Sequence, residues 1–258
     1  MKRLLKNRLN PVYPVIFTTA VVKNMINIPG HSASRATAFC VPDKPVGMDH
    51  TVTVQSVEDV GPDTVALEFE TPPAFEADPG QFVALTVEFD GEEVKRFYTL
   101  SSPSVDETFE ITVGVDPEGD LSPWLAACDP GDTVPMDGPF GSIAYEGDGD
   151  VVAVAGGPGI GPAVAIAEAA RESGHEATVI YQDDEPAHRE RLEALGSSGA
   201  DVTIVDDDDE DGLADAVGVA PEDGQVYAFG FEEFVHAVTD AIEAAGGDPD
   251  EALIENFG

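Results

Sequence analysis

The stretch Arg96-Phe97-Tyr98-Thr99-Leu100-Ser101-Ser102 places a fixed cation, an aromatic ring and three aliphatic hydroxyl groups at the end of a strand-like run. Arginine pairs well with phosphate, tyrosine packs on apolar ring systems, and hydroxyls bond to polar ring atoms. These groups suit a flavin, although a surface loop can carry the same letters by chance. A glycine-rich turn begins sixty residues after Arg96. Two nucleotide-type sites in one short chain indicate electron transfer between two cofactors.

Strand-like segments surround this stretch between residues 49 and 147. Short apolar-alternating runs follow one another at close spacing, and glycine or proline separates several of them. The runs are Thr51–Val57, Thr64–Glu70, Gln81–Phe89, Val94–Leu100, Thr108–Val115 and Thr133–Met136. Regular short strands with such punctuation predict an antiparallel barrel or sandwich.

A short helix is predicted within this region, over Ser122–Cys128, with Ser122 as its N-cap and Pro123 as its first residue. Gly119, Leu121 and Ser122 would then bring backbone N–H groups and a hydroxyl to a helix start, which is a natural phosphate site. An ordinary capped helix explains the same residues. The phosphate interpretation therefore depends on Arg96, which can clamp one pyrophosphate from the opposite side.

The second half of the chain alternates strands and helices. Asp150–Ala155 is a nearly continuous apolar run, as in a strand buried on both faces, and it leads into the glycine turn Gly156–Pro162. The segments that follow are Ala163–Ser173, Ala177–Tyr181, Ala187–Leu195, Val202–Val205, Leu213–Val217, Val226–Phe229 and Phe234–Ala245. They predict a doubly wound α/β domain with a parallel sheet. The glycine turn either docks a pyrophosphate on backbone N–H groups or forms a tight strand–helix connection.

These motifs together resemble the ferredoxin–NADP reductase superfamily. The resemblance rests on Arg-x-Tyr-Thr at 96–99, Gly-x-x-Ser at 119–122, Gly-Pro-Phe-Gly at 138–141 and the glycine turn with its proline at Pro162. It implies a six-stranded antiparallel flavin-binding barrel followed by a doubly wound parallel-sheet nucleotide-binding domain. The FAD-binding domain would span residues 49–147 and the NAD(P)-binding domain residues 148–258.

The resemblance also implies roles for individual residues. Arg96 would bind the FAD pyrophosphate, Tyr98 would pack on the isoalloxazine or ribityl chain, and Thr99 would hydrogen-bond near flavin N5. Glu255 would assist proton or electron exchange at the ring, unless the terminus is frayed; Thr99 and Glu255 are the expected catalytic residues. The residues expected to bind cofactor are Arg96, Phe97, Tyr98, Thr99, Gly119, Leu121, Ser122, Gly156, Gly157, Gly159, Pro162, Asp183, Gly230 and Phe257.

Three positions modify this expectation. Pro158 stands where the family usually has threonine, and Phe229 stands where it commonly has cysteine beside the hydride-transfer centre. Both changes bear on the nicotinamide step. Asp183 falls where NADPH-using relatives often carry an arginine for the 2′-phosphate, so NADH is the expected donor rather than NADPH.

Charge limits the possible partners. The chain has 51 acidic and 12 basic residues, and residues 49–258 alone carry a formal charge of −45. Such a surface repels nucleic acid and anionic membranes. It would repel itself in dilute buffer, whereas molar salt shortens the Debye length to ~3 Å. We therefore expect a cytoplasmic protein of halophilic, haloarchaeal type.

Residues 1–48 differ from the rest because they hold seven basic residues and one acid. Either translation starts at Met48, or a basic start followed by an apolar run forms a targeting segment. The apolar run is too short for a membrane span, which needs ~20 residues. The composition break before Met48 favours the later start.

The function predicted from these observations is an FAD-dependent NAD(P)H oxidoreductase. The two cysteines, Cys40 and Cys128, exclude a four-thiolate iron–sulfur centre within the chain, and the five histidines show no metal-ligand spacing. Electrons must therefore leave for a separate acceptor such as a ferredoxin, a cytochrome or an oxygenase component. The alternative is a weakly catalytic flavin-binding subunit of a multi-subunit electron-transfer complex.

Overall fold

The computed structural model describes residues 48–221 and 224–257, which form two sheets. The first sheet is antiparallel and six-stranded: β1 (Met48–Gly61), β2 (Thr64–Glu70), β3 (Phe82–Phe89), β4 (Glu92–Thr99), β5 (Thr108–Gly114) and β6 (Thr133–Phe140). Its strand order is β4-β3-β6-β1-β2-β5. The predictions made for residues 1–47 lie outside the described residues.

The two edge strands of this sheet meet and close it into a barrel. Leu100, just after β4, bridges to Ile111 of β5, and the Ser101 N–H donates to the Glu110 carbonyl at 2.8 Å. Alternating side chains fill the interior, where Phe69, Phe75 and Phe109 stack with ring centroids 5.2 to 5.4 Å apart. Period-two burial of apolar residues is what the sequence pattern predicted.

The strands run further than the pattern predicted. β1 continues to Gly61 rather than Val57, and β6 continues to Phe140 rather than Met136. Both strands extend through polar or proline-containing segments because hydrogen-bonded partners lie alongside. Residues Met48 to Thr53 of β1 pair with Gly138 to Thr133 of β6.

Helix α1 (Leu121–Ala126) corrects the predicted cap. Asp120 is the N-cap residue, and Ser122 is the second helical residue. The Ser122 hydroxyl accepts a hydrogen bond from the backbone N–H of Asp116 at 3.1 Å instead of capping the helix. Pro123 lies in the first turn, where a missing N–H costs nothing.

The second sheet is parallel, with β7 (Val151–Gly156), β8 (Ala177–Gln182), β9 (Asp201–Val205), β10 (Gln225–Gly230) and β11 (Leu253–Asn256). Its order is β11-β10-β7-β8-β9, and the helices are α2 (Ile160–Glu172), α3 (Arg189–Ser197), α4 (Glu210–Gly218) and α5 (Glu232–Ala245). Helices α2 and α3 pack on one face of the sheet, and α4 and α5 pack on the other. The fold is therefore doubly wound, and its order reverses between β7 and β10.

Two details of this domain differ from the sequence interpretation. Helix α2 begins at Ile160 rather than Ala163, because Pro162 occupies its first turn. The C-terminus is not frayed: β11 pairs in parallel with β10, and the Phe257 N–H donates to the Gly230 carbonyl at 2.9 Å. Residues 253–257 are thereby held at the sheet.

No helix within 48–221 and 224–257 is long and apolar enough to cross a membrane. In the same ranges, no three His, Cys, Asp or Glu side chains are grouped so as to hold a metal ion.

Candidate functional site

A cleft of about 550 Å³ lies where the barrel meets the carboxyl ends of β7 and β10. The barrel contributes the end of β4, part of β5 and the segment before α1. The parallel-sheet domain contributes Pro158, Pro162, Phe231 and Phe257. Ligands of doubly wound sheets bind at this reversal point of the strand order, so the cleft is the expected position for one.

Arg96 is the one cationic side chain among the described residues that line this cleft. It is exposed and its guanidinium donates to the carbonyl of Lys95 at 2.9 Å, which leaves further N–H groups available. Asp63, Asp116 and Asp120 line the same cleft. An anion bound here would consequently depend heavily on Arg96.

Tyr98 and Thr99 extend the barrel wall of the cleft. Tyr98 is half-buried, and burial raises the pKa of its phenol to about 12, while Arg96 acts in the opposite direction. The phenol is therefore neutral and offers an apolar ring with a hydroxyl tip. Thr99, at the end of β4, is 7% exposed.

Thr99 and Glu255 form a hydrogen bond between the two domains. The Thr99 hydroxyl donates to Glu255 Oε2 at 3.1 Å, although 156 positions separate the residues along the chain. Burial raises the pKa of Glu255 to about 7, and the Thr99 hydrogen bond partly offsets the rise. A carboxyl group that titrates near neutrality can hold or release a proton under working conditions.

Two phenylalanines cover the sheet side of the cleft. Phe231 and Phe257 meet edge to face with ring centroids 5.9 Å apart, and Phe231 is 54% exposed. Phe257 was anticipated here, whereas Phe231 was not. The available signal was its position directly after Gly230, at the carboxyl end of a strand next to the reversal point.

The glycine turn contains residues that are glycine for different reasons. Gly157 has φ +54°. An added Cβ would meet open space there, so close packing is not the reason for this glycine. An added Cβ on Gly159 would collide with the carbonyl of Phe229. Gly156 and Gly230 both make room for the ring of Phe234. Packing therefore explains Gly156 and Gly159 of the turn, and Gly230 at the end of β10, without any ligand.

Asp183 follows β8 and is already bonded through both carboxylate oxygens. Tyr181 donates its hydroxyl to Oδ2 at 2.8 Å, and the Glu185 N–H donates to Oδ1 at 2.8 Å. Asp207 lies nearby, and burial followed by the charges of Asp183 and Asp184 raises the pKa of its carboxyl. This edge of the sheet is strongly acidic.

The cleft brings together nine of the fourteen residues expected to bind cofactor. Those lining it are Arg96, Phe97, Tyr98, Thr99, Gly119, Leu121, Ser122, Pro162 and Phe257. The Leu121 side chain is buried in the barrel core, so its contribution to the cleft is backbone. Gly156, Gly157, Gly159, Gly230 and Asp183 do not line it, and they stand at the carboxyl ends of β7, β8 and β10.

Residues 51–145 match the family described as the oxidoreductase FAD-binding domain. The barrel is therefore the part of the chain that matches an FAD-binding domain. Its cleft fits that cofactor, because one arginine, a neutral tyrosine and a buried hydroxyl converge on one side of an aromatic-lined space.

The chain is similar in sequence to two bacterial proteins that are named as reductase subunits. The chain is 44% identical over 94 residues to the glycine betaine monooxygenase reductase subunit of Pseudomonas aeruginosa, over 34% of this chain and 25% of that protein. It is 28% identical over 222 residues to the stachydrine N-demethylase reductase subunit of Rhizobium meliloti, covering 76% of this chain and 63% of the relative. The matching segments therefore span from 25% to 63% of the length of these relatives.

A solved structure supports the two-domain fold. The ferredoxin NADP⁺ reductase from Neisseria gonorrhoeae, with bound FAD and NADP, superposes with a TM-score of 0.68 at 20% identity. The similarity covers 81% of this chain and 99% of that one. The barrel and parallel sheet together therefore have the ferredoxin reductase-like fold.

Proposed function

We propose that this protein is an FAD-dependent NAD(P)H oxidoreductase of the ferredoxin–NADP reductase type, which passes electrons from NADH to a separate one-electron acceptor. Residues 49–147 would hold FAD and residues 148–258 the nicotinamide nucleotide. The observation that carries the proposal is the hydrogen bond that joins Thr99, a lining residue of the cleft in the barrel, to Glu255 of β11 at the edge of the parallel sheet.

The side chains of the cleft would have separate roles in binding FAD and in exchanging a proton. Arg96 would hold the pyrophosphate of FAD, Tyr98 would pack on its ring or ribityl chain, and Gly119, Leu121 and Ser122 would complete the phosphate contacts. Bound FAD would accept a hydride from the nicotinamide and release electrons singly. Thr99 and Glu255 would exchange a proton at the edge of the ring, which the near-neutral pKa of Glu255 supports.

The nucleotide would dock on the second domain with its pyrophosphate near Gly157 and its ribose near Asp183. Carboxylates repel a 2′-phosphate, so the acidic edge around Asp183 and Asp207 supports NADH over NADPH. Phe257 and Phe231 would shield the ring from water until the nicotinamide arrives.

The electron acceptor would be a separate redox protein such as a ferredoxin, a cytochrome or an oxygenase component. Two of the relatives are named as reductase subunits of a monooxygenase and of a demethylase, which supports an oxygenase component. The charge of the chain further supports a cytoplasmic protein that works in molar salt, as in haloarchaea.

One observation favours a second candidate, a weakly catalytic flavin-binding subunit of a larger complex. Phe229 is fully buried at the end of β10, where the resemblance would place a cysteine near the nicotinamide. If this residue limits the reaction, Phe229→Cys should accelerate flavin reduction.

The test is an anaerobic titration of the full chain, loaded with FAD in molar KCl. We expect NADH to bleach the visible flavin bands, and to do so at lower concentration than NADPH. A bound flavin that stays oxidised with both nucleotides would contradict the reductase and favour the second candidate.

A further inference from the structure

Arg191 of α3 connects three groups at the boundary between the two domains, through four hydrogen bonds. Within its own domain it holds Glu168 of α2 through two hydrogen bonds, of 2.9 and 2.6 Å. Towards the barrel it donates to Glu110 Oε1 of β5 at 2.9 Å and to the backbone carbonyl of Ser101 at 2.8 Å. The planar guanidinium group of arginine donates in fixed directions and can therefore bridge several acceptors.

A second polar chain runs beside this arginine. His188 is 4% exposed, and its Nε2 lies 2.8 Å from the hydroxyl of Thr112, which lies 2.8 Å from the hydroxyl of Ser101. The backbone N–H of His188 also donates to the carbonyl of Val60 in β1 at 2.8 Å. Burial and the nearby Arg191 charge lower the pKa of His188 to about 3, so the imidazole is neutral.

The domains also approach closely at glycines. An added Cβ on Gly61 would lie 2.7 Å from the Cβ of Ala187, and one on Gly161 would collide with the Thr112 hydroxyl. The interface therefore has little room to slide, and its polar groups meet in one arrangement.

This interface is directly linked to both walls of the cleft. Ser101 lies two positions after Thr99, and Thr112 itself lines the cleft. On the other side, Glu168 belongs to α2, the helix that follows the glycine turn. A rotation at Arg191 would move Thr99 relative to that turn.

Stability alone does not account for such a cluster. Burial raises the pKa of Glu110 to about 7, with Arg191 opposing the rise, so this carboxylate is held at a cost in desolvation. Partly buried ion pairs often contribute little net stability compared with apolar residues of the same size, and in some proteins they serve to select one geometry.

We propose that Arg191 is a positioning residue, which fixes the angle between the domains so that the nicotinamide carbon reaches the flavin ring. Its partners are Glu110 and the Ser101 carbonyl on the barrel and Glu168 on α2. The inference rests on the proposed function, because it assigns the angle a role in hydride transfer.

Arg171 provides a matched control, because it makes a similar number of contacts within one domain. Its guanidinium donates to the carbonyls of His175 and Ser198 and to Glu176, at 2.8 to 2.9 Å, and its side chain is 23% exposed against 22% for Arg191. Losing either arginine removes one partly buried cation. Only the loss of Arg191 removes hydrogen bonds between the domains, namely those to Glu110 and to the Ser101 carbonyl.

The experiment compares Arg191→Gln, Arg191→Lys and Arg171→Gln in the full chain with FAD. All variants should retain flavin and photoreduce normally. With NADH, both Arg191 variants should reduce flavin between roughly 10- and 100-fold more slowly, as expected when reacting atoms are misplaced by about 1 Å. Arg171→Gln should stay within about twofold of the original chain, since its interactions are local.

Calorimetry of the FAD-free chains gives a readout that does not depend on activity. The original chain and Arg171→Gln should each unfold in one transition, whereas Arg191→Gln should show two, because the Glu110 and Ser101 contacts that couple unfolding of the domains are lost. Arg191 variants with the original reduction rate and one transition would overturn the proposal. If NADH and NADPH fail to reduce the original chain, the proposed function fails, and the number of transitions alone decides whether Arg191 couples the domains.

Discussion

The two walls of the cleft use their residues in different ways. On the barrel wall, side chains supply the groups that face the cleft. Arg96 offers a cation, Tyr98 a ring, and Thr99 a hydroxyl that donates to Glu255. On the sheet wall, two prolines and two phenylalanines line the cleft, and packing accounts for the neighbouring glycines Gly156, Gly159 and Gly230. The family match likewise stops at residue 145, before the sheet wall begins. A motif therefore indicates a ligand site more clearly when packing within the protein does not already explain its residues.

The largest effect should come from Gly159→Ala, next to the sheet wall. The added methyl group would collide with the Phe229 carbonyl, a backbone atom that cannot turn aside. We expect a loss of roughly 3 kcal/mol or more in the free energy of unfolding, measured by denaturant titration.

Gly196→Ala in α3 is the matched control, because an added Cβ there meets nothing within 4 Å. It should leave the stability unchanged or raise it by up to about 1 kcal/mol, since alanine favours helix. Equal destabilisation by the two substitutions would show that the close approach at Gly159 is not what matters.

The next effect concerns the barrel wall. Arg96→Ala removes the one described cation of the cleft and should weaken FAD binding by about 2 to 3 kcal/mol, or roughly 30- to 150-fold. Equilibrium dialysis of the full chain with FAD measures this. The adjacent Lys95→Ala should have a small effect, because Lys95 is paired with Asp137 at 2.6 Å and does not line the cleft. FAD occupancy that is unchanged in Arg96→Ala would refute the phosphate role.

A smaller effect is expected at Glu255, where the two walls meet. Its folded-state pKa of about 7 lies above the value of 4.5 for an unperturbed glutamate, because burial disfavours the charged form. A raised carboxyl pKa stabilises the fold at low pH, and this contribution is lost as pH rises from 4.5 to 7. The difference in unfolding free energy between the original chain and Glu255→Gln should therefore decline by about 1 to 3 kcal/mol over that window and stay flat above it. A difference that does not vary with pH would contradict the buried carboxyl.

The smallest predicted effect is on nucleotide preference. Asp183→Asn removes a charge but keeps an oxygen that can accept from Glu185. It should improve NADPH relative to NADH several-fold, about 1 kcal/mol, as judged from the ratio of kcat/KM values. Asp211→Asn, an exposed acid on α4, should leave the ratio unchanged. A shift of equal size in both variants would mean that general charge, rather than Asp183, sets the preference.

Local patterns predicted the fold class and most of the barrel wall. Alternation identified β2, β3 and β5 almost to the residue, because each buries one face and is bounded by turn residues. β11 was missed, since three half-buried residues and one exposed residue leave no periodic signal and pair only with β10.

Contacts between distant segments could not be predicted in the same way. The Thr99–Glu255 bond and the Arg191 network join positions 156 and 90 apart, and pairing across such separations is set by domain packing. Ser122 shows the limit on a smaller scale. Its hydroxyl accepts from the N–H of Asp116 rather than from an N–H of the helix. Both N–H groups are nearby in the sequence, and composition does not decide between them.

We propose above all that the two walls bring a nicotinamide and a flavin together for direct hydride transfer. Stopped-flow reduction of the FAD-loaded full chain, with NADH carrying deuterium at each C4 position in turn, tests this most directly. We predict that one of the two deuterated forms slows flavin bleaching by a primary isotope effect and that the other does not. Bleaching at the same rate with both forms, or a flavin that stays oxidised, would contradict the account.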